Sequence, residues 1–306
     1  MSKIIEDLYA HLTKSNCSAK IVSTNNLFSL INEIQQYHQK GLIEKSFFKE
    51  RLSWLSSSLS KNISAEKSVI IIAVPRPQSK ASFNWNGTCK SIVIPPTYTG
   101  YEQTRKKVEN QIKKLLKLKN YSATRALLPL KALAVRSGLG TYGKNNICYV
   151  PGMGSFHQLV AVYSNIPTKE KLQKPKMMTV CEKCDICEKA CPTNAISHNR
   201  FLLKAERCLT YHNEKKGSTP FPSWIEQTWH NCVVGCMYCQ KVCPVNTNFS
   251  NWFGIEETFS EKETKQLLNN PTKNKLSSTT LEKLTKLNLA DYLDSLSRNL
   301  NVFFRE

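Results

Sequence analysis

The chain has no long apolar run. Its longest uninterrupted stretch is Val69–Val74, six residues, far short of the twenty or so needed to cross a bilayer. The start, Met-Ser-Lys-Ile-Ile-Glu-Asp, lacks the basic opening and apolar stretch of a signal peptide. Acidic residues are few, 23 against 43 lysines and arginines, which leaves a formal net charge of +20. No basic block runs for more than a few residues, so no polybasic tail is indicated. The charge reads as lysine-rich solvated faces or as attraction to an acidic partner, either a carrier protein or RNA. Cysteine is sparse outside one segment: of 12 residues, only Cys17, Cys89 and Cys148 lie away from it. That clustering excludes a small disulfide scaffold and fits a reducing cytoplasm. The three outliers read as inert thiols. At 306 residues the chain is long enough for one large core and a smaller module.

The cysteine segment is a repeat. Cys184-Asp-Ile-Cys187-Glu-Lys-Ala-Cys191-Pro192-Thr-Asn194 recurs 52 positions later as Cys236-Met-Tyr-Cys239-Gln-Lys-Val-Cys243-Pro244-Val-Asn246, with six of eleven positions identical. Cys181 extends the first copy to C-x2-C-x2-C-x3-C-P, the bacterial ferredoxin run for a 4Fe–4S cluster. A cubane needs one thiolate per iron. Three cysteines on a tight turn reach three corners, and the fourth comes from elsewhere. In two-cluster ferredoxins the Cys before Pro serves the other cluster. One cluster then takes Cys181, Cys184, Cys187 and Cys243. The other takes Cys236, Cys239 and Cys191, with Cys208 or Cys232 as fourth ligand. Cys208 is preferred, because Cys232 sits only four residues before Cys236 in a different spacing. Two structural zinc sites are the competing use of eight cysteines; the Cys-Pro endings and the tandem offset favour iron–sulfur.

Upstream, the pattern predicts an α/β (α+β) domain over 1–170, followed by a ferredoxin-like double-cluster domain over 171–250 and a helical tail over 251–306. Helical stripes fall at Ile4, Ile5, Leu8 and Leu12, at Leu27, Leu30, Ile31 and Ile34, and at Phe48, Leu52, Leu55 and Leu59. Lys67–Val74 reads as a buried strand. Asn86-Gly87 marks a hairpin turn before a strand at Ser91–Ile94. A helix over about Tyr101–Leu118 turns Val108, Ile112, Leu115 and Leu116 inward. An apolar stretch, Arg125–Val135, is broken by Pro129, and His157–Ser164 alternates as a strand. The tail has room for three short helices, one starting at a capping box Thr279-x-x-Glu282 and one carrying Leu293, Leu296 and Leu300. Between 135 and 157 lie two glycine turns, Gly138-Leu-Gly140-Thr-Tyr-Gly143-Lys144 and Gly152-Met-Gly154-Ser155. Glycines there could let backbone approach a ligand, with Lys144 supplying charge. The first spells G-x-G-x-x-G, yet follows no clear strand and has no acidic residue about 20 positions on, so dinucleotide binding is not indicated.

The order of a strand, GLG-x-x-GK, Gly-Ser before a strand, CEKCDICEKACPTNAI, RCLTY and GCMYCQKVCPVN resembles epoxyqueuosine reductase, a family related to the reductive dehalogenases. The likeness covers about residues 65–250. It implies a corrinoid-reductase type of α/β domain that binds cobalamin, and two 4Fe–4S clusters in a ferredoxin-like module. It implies Cys208, in Cys208-Leu-Thr-Tyr211, as the fourth ligand of the second cluster. It also implies Gly138, Gly140, Gly143, Lys144 and Ser155 as corrinoid contacts, and a low-potential donor such as ferredoxin or flavodoxin. Three departures stand out. Thr124 occupies the ungapped position of the family's acidic proton donor. The family's DYH is Gly100-Tyr101-Glu102 here. The chain after 250 is too short for the family's helical-repeat domain. Tyr101, Glu102, Tyr121 and His157 are then the residues left to examine as proton sources. The reading is an iron–sulfur oxidoreductase of this kind with another, unknown acceptor, small molecule or RNA; the alternatives are a corrinoid-free electron-transfer protein or a tRNA-modifying reductase.

Overall fold

The computed structural model describes residues 2–55 and 67–304. By contacts these divide into two compact units, each assembled from separated stretches of chain. The first holds residues up to 75, then 102–185 and 196–205; the second holds 76–101, 186–195 and the chain from 206 onward. The expected division at 170 and 250 is not the observed one, because early and late segments share a sheet and a core in the second unit.

The first unit is built on an antiparallel sheet of β1 (Ser18–Ser23), β2 (Ser68–Pro75), β8 (His157–Ser164) and β5 (Ala123–Arg125), in the order β1-β2-β8-β5. Strand β2 is β-branched almost throughout, and its residues from Ser68 to Ala73 are buried. Both faces of the sheet must therefore be covered. Val69, Ile71 and Ala73 pack on one side with Leu27, Leu30, Ile31, Leu55 and Leu133. Ile70 and Ile72 pack on the other with Ile4, Ile5, Leu8 and Leu12 of the Lys3–Thr13 helix and Val108, Ile112 and Leu116 of the Tyr101–Lys117 helix. The stripes read from the sequence are the buried faces of these helices. The third stripe is only partly so. Its helix spans Lys45–Arg51 and ends before Leu52, Phe48 stacks on His38 at 3.9 Å, and Leu59 lies outside the described residues. The apolar stretch 125–135 leaves its strand at Arg125 and, past the N-cap Pro129, continues as the helix Leu130–Arg136.

The second unit carries a sheet ordered β4-β3-β9. Strands β3 (Gln78–Trp85) and β4 (Thr88–Ile94) form the hairpin around Asn86 and Gly87, whose φ values of 47° and 72° match the turn that suits strand twist. Strand β9 (Phe253–Phe259) lies parallel to β3. It is a correction to the all-helical tail. Phe253, Ile255, Glu257 and Phe259 do alternate with more exposed residues, but two glutamates dilute the strand signal. Three helices follow, Glu261–Leu268, Ser278–Lys286 and Leu293–Asn301. Leu293, Leu296 and Leu300 join Phe83, Ile92, Ile94, Phe259, Leu267 and Leu284 in one core. Val233 and Val234, just ahead of the second cysteine run, are buried in it too, which fixes that run to the sheet. Among the described residues no helix is long and apolar enough to cross a membrane.

Candidate functional site

In the second unit, the short helical turns Ile186–Lys189 and Tyr238–Lys241, one from each cysteine run, pack against each other. This pairing brings the runs together. Cys191 closes the first turn, its backbone N–H donating to the Glu188 carbonyl. Cys208 stands at the N-cap of the Leu209–Asn213 helix. Burial pushes the Cys239 thiol well above its ordinary pKa, and the neighbouring Cys236, Cys208, Cys191 and Cys187 push it further. Cys208 is pushed up to about 11 by burial and then by Cys236, with Cys191 adding to it. Cys236 is raised by burial, and Cys191 adds there also. Cys191, Cys208, Cys236 and Cys239 thus lie within electrostatic reach of one another. Four such thiols cannot all ionise unaided; a cationic iron core between them would remove the repulsion. Among the described residues no His, Cys, Asp or Glu group is arranged to hold a single metal ion.

Cys232, the competing candidate, is fully buried, with Cys236 within electrostatic reach. Its thiol donates to Asn231 Oδ1 at 3.1 Å. The same oxygen accepts the Met237 backbone N–H at 2.9 Å, and Asn231 Nδ2 donates to Cys236 Sγ at 3.2 Å. Other donors meet the same group of sulfurs. Thr210 hydrogen-bonds Cys208 through its backbone and its hydroxyl, the Tyr238 backbone bonds Cys236, and the Thr193 hydroxyl lies 3.5 Å from Cys191 Sγ. Asn231, Thr193 and Thr210 were not singled out in the sequence, since none belongs to the cysteine spacing. Of the remaining cysteines, Cys187 and Cys243 belong to the second unit, and Cys181 and Cys184 to the first. Cys181 is buried at the end of a tight turn, Thr179–Cys181.

In the first unit the glycine loop has a different character from the expected one. Gly138, at φ 75°, stops the 130–136 helix, with N–H bonds back from Gly138 to Val135 and from Leu139 to Ala134. The loop then closes a small hairpin between β6 (Thr141–Tyr142) and β7 (Cys148–Tyr149). A Cβ on Gly140 would lie 2.7 Å from both Cys148 Sγ and the Tyr149 carbonyl oxygen, and one on Gly143 would lie 2.6 Å from Asn145 Oδ1 and the Tyr149 ring. These glycines make room for their own hairpin. Lys144 Nζ donates to the Cys184 carbonyl at 2.5 Å, beside the first cysteine run. Ser155 is buried in the second glycine turn. The two inner glycines and Lys144 are thus engaged by the chain itself, whereas a Cβ at Gly138 would meet only the Gln173 side chain, at 3.7 Å or more, and one at Gly152 nothing within 4 Å.

The proton-source residues can be placed as well. Thr124 is exposed on β5, paired with Tyr163. Glu102 is held below the ordinary carboxylate range by Arg105, whose guanidinium bonds it at 2.5 Å, so it is ionised at neutral pH. Burial pulls His157 down to about 4, so it is neutral there. Neither supplies a proton readily near pH 7.

Comparison with known proteins bears on both units. Residues 180–246 match the family model described as a 4Fe-4S double cluster binding domain. The epoxyqueuosine reductase of Atelocyanobacterium thalassa (isolate ALOHA) is 33% identical over 132 residues, covering 43% of this chain and 42% of the relative. That of Bacillus subtilis (strain 168) is 34% identical over 116 residues, covering 38% and 28%. The matched segments thus span less than half of these relatives. Among solved structures, epoxyqueuosine reductase from Streptococcus thermophilus superposes with a TM-score of 0.65 at 18% identity, over 98% of this chain and 80% of that one. An epoxyqueuosine reductase with an epoxyqueuosine-modified tRNA stem loop gives 0.66 at 19%, over 98% and 80%. The mixed α/β fold with its double 4Fe–4S module is therefore that of the epoxyqueuosine reductases, and the module's cofactors are two 4Fe–4S clusters.

Proposed function

We propose that this protein is an iron–sulfur reductase of the epoxyqueuosine reductase type, acting on an oxygenated nucleoside carried in RNA. Electrons enter singly from a low-potential donor, a ferredoxin or a flavodoxin, and pass through two clusters. Cys181, Cys184, Cys187 and Cys243 hold one; Cys191, Cys208, Cys236 and Cys239 hold the other. Converting an epoxide to an alkene takes up two electrons and two protons and releases water. Two one-electron carriers in series suit that demand, and the protein's own part is burial, positioning and tuning of the carriers. The observation that carries the reading is the meeting of the two cysteine runs in the second unit, where the Ile186–Lys189 and Tyr238–Lys241 turns pack together and Cys187, Cys191, Cys208 and Cys236 all lie within electrostatic reach of Cys239; the division into two sets of four follows the ferredoxin rule and the RCLTY motif. An RNA substrate is supported by the likeness in fold to a relative bound to a modified tRNA stem loop and by the net charge of +20.

Thr124 favours a second reading, a reductase with a different acceptor, because a threonine does not donate a proton at neutral pH. Anaerobically reconstituted protein, reduced with dithionite and supplied with epoxyqueuosine-containing tRNA, separates the two. Loss of the epoxide, with or without added cobalamin, supports the tRNA reading. Iron near eight per chain with no turnover and no tRNA gel shift at moderate salt supports the other acceptor. Zinc in place of iron overturns both.

A further inference from the structure

The side chain of Asn231 makes three contacts that together have one consequence. Its oxygen takes two donors, the Cys232 thiol at 3.1 Å and the Met237 backbone N–H at 2.9 Å. An amide group whose oxygen is held from two sides cannot flip end for end without losing both bonds. Its nitrogen is thereby kept on the other side, where Nδ2 donates to Cys236 Sγ at 3.2 Å. Cys236 is here a thiol in place of the iron-bound thiolate. The donor would meet the same sulfur in either state, and a bond to the charged sulfur is the stronger one. Cys232 is wholly buried, with its S–H already given to Asn231. Such a thiol is a poor cluster ligand and a good orienting donor.

Hydrogen bonds to cluster sulfur stabilise the more negative, reduced state and so raise the reduction potential. We propose that Asn231 is a positioning residue for the second cluster, its amide locked by the Cys232 thiol and the Met237 N–H so that Nδ2 holds the Cys236 sulfur and keeps that cluster's potential above the value it would otherwise have. The role of Cys232 follows: it is the lock on the amide, which accounts for a ninth cysteine inside a segment that needs eight. Asn231 lies five residues ahead of Cys236. The intervening Val233 and Val234 are anchored in the sheet-backed core, so donor and sulfur are held at a fixed separation by the same turn of chain.

This inference rests on the two-cluster reading but not on the substrate, and the test separates the two. Iron is measured first in each variant, and the midpoint potentials of both clusters are then followed by anaerobic redox titration with paramagnetic-resonance detection. Asn231→Leu should retain iron near eight per chain and lower one midpoint only, by about a tenfold change in its equilibrium constant, or about 59 mV for a one-electron couple. Cys232→Ser, whose hydroxyl can still donate to Asn231 Oδ1, should keep all the iron and a potential close to that of the unaltered protein. Cys232→Ala, which frees the amide to turn, should fall between Cys232→Ser and Asn231→Leu. Unchanged potentials in Asn231→Leu would overturn the proposal. Loss of half the iron in Cys232→Ser would overturn it differently, by making Cys232 a ligand. Absence of iron from the unaltered, reconstituted protein would sink the cluster reading itself.

Discussion

Single residues decide how the glycine loop should be understood. Glycines in a G-x-G-x-x-G spelling invite a ligand, yet Gly140 has no room for a Cβ because Cys148 Sγ and the Tyr149 carbonyl already stand 2.7 Å from its place. A carbonyl in a paired strand cannot move aside cheaply. Gly140→Ala should therefore destabilise the protein by about 1–3 kcal/mol through overpacking, measured by thermal or urea unfolding whether or not any corrinoid is present. A cost within experimental error would mean that the 141–149 hairpin is looser than described. This also makes a bulky substitution at Gly140 a poor test of corrinoid binding, since it would damage the loop before it touched a ligand. His157 carries a pH signature. Burial lowers it from 6.5 to about 4, so between those values the unfolded chain binds more protons. Its contribution is complete above pH 6.5 and is lost as pH falls toward 4, at most on the order of 3 kcal/mol. His157→Gln should flatten the stability curve in that window; an unchanged slope there would assign the acid sensitivity to other groups. The spacing rule named Cys191, Cys236 and Cys239, and Cys208 by preference, from the sequence. Asn231 was not legible, because the orientation of an amide depends on contacts that no spacing encodes.

At the scale of elements, local patterns were read well where packing agreed with them. His157–Ser164 and the Asn86-Gly87 turn were placed correctly because alternation and turn chemistry are local signals. Strand β9 was missed because its partner β3 lies some 175 residues away, as in the pairing of Phe83 with Phe259. The capping box was displaced for a related reason. The true N-cap of the 278–286 helix is Ser277, whose hydroxyl receives the Thr280 N–H at 3.1 Å, while Thr279 lies exposed inside the first turn. The reciprocal box occurs one helix earlier, between Ser260 and Glu263. Ser277→Ala and Ser260→Ala should each cost about 1 kcal/mol, and Thr279→Ala no more than a few tenths. Urea titrations of the three variants check this ranking, and an equal or larger loss for Thr279→Ala would reverse the assignment of the cap.

For the molecule as a whole, the two units predict an uneven response to loss of iron. Cys191, Cys208, Cys236 and Cys239 belong to the second unit, whereas the two cores around β2 contain none of the four. Metal binding contributes folding free energy where its ligands lie. Anaerobic chelation should thus strip amide protection from residues 179–195, which include the proposed ligands Cys181 and Cys184 of the first unit, and from 206–249, while β2 and β8 stay protected, followed by hydrogen exchange. Uniform loss of protection along the chain would show that the cores around β2 also depend on the metal. The sequence suggested three consecutive domains because composition changes along the chain, and composition carries no record of which distant strands pair.

The parallel pairing of β3 with β9 also sets an order of events during synthesis. The 78–94 hairpin is made before the cysteine runs, and the strand that completes its sheet and the leucines that cover it are made after them. Every cysteine of the two runs leaves the ribosome in between. At roughly 5–20 residues per second, the nascent chain carries its thiols for several seconds on a scaffold that is not yet closed, since contacts so far apart in sequence form late. In that interval the thiols of Cys191, Cys208 and Cys239 are expected to be open to iron and sulfide. Closure of the C-terminal strand and helices then acts as the latch, and a chain that closes first is expected to trap empty thiols inside.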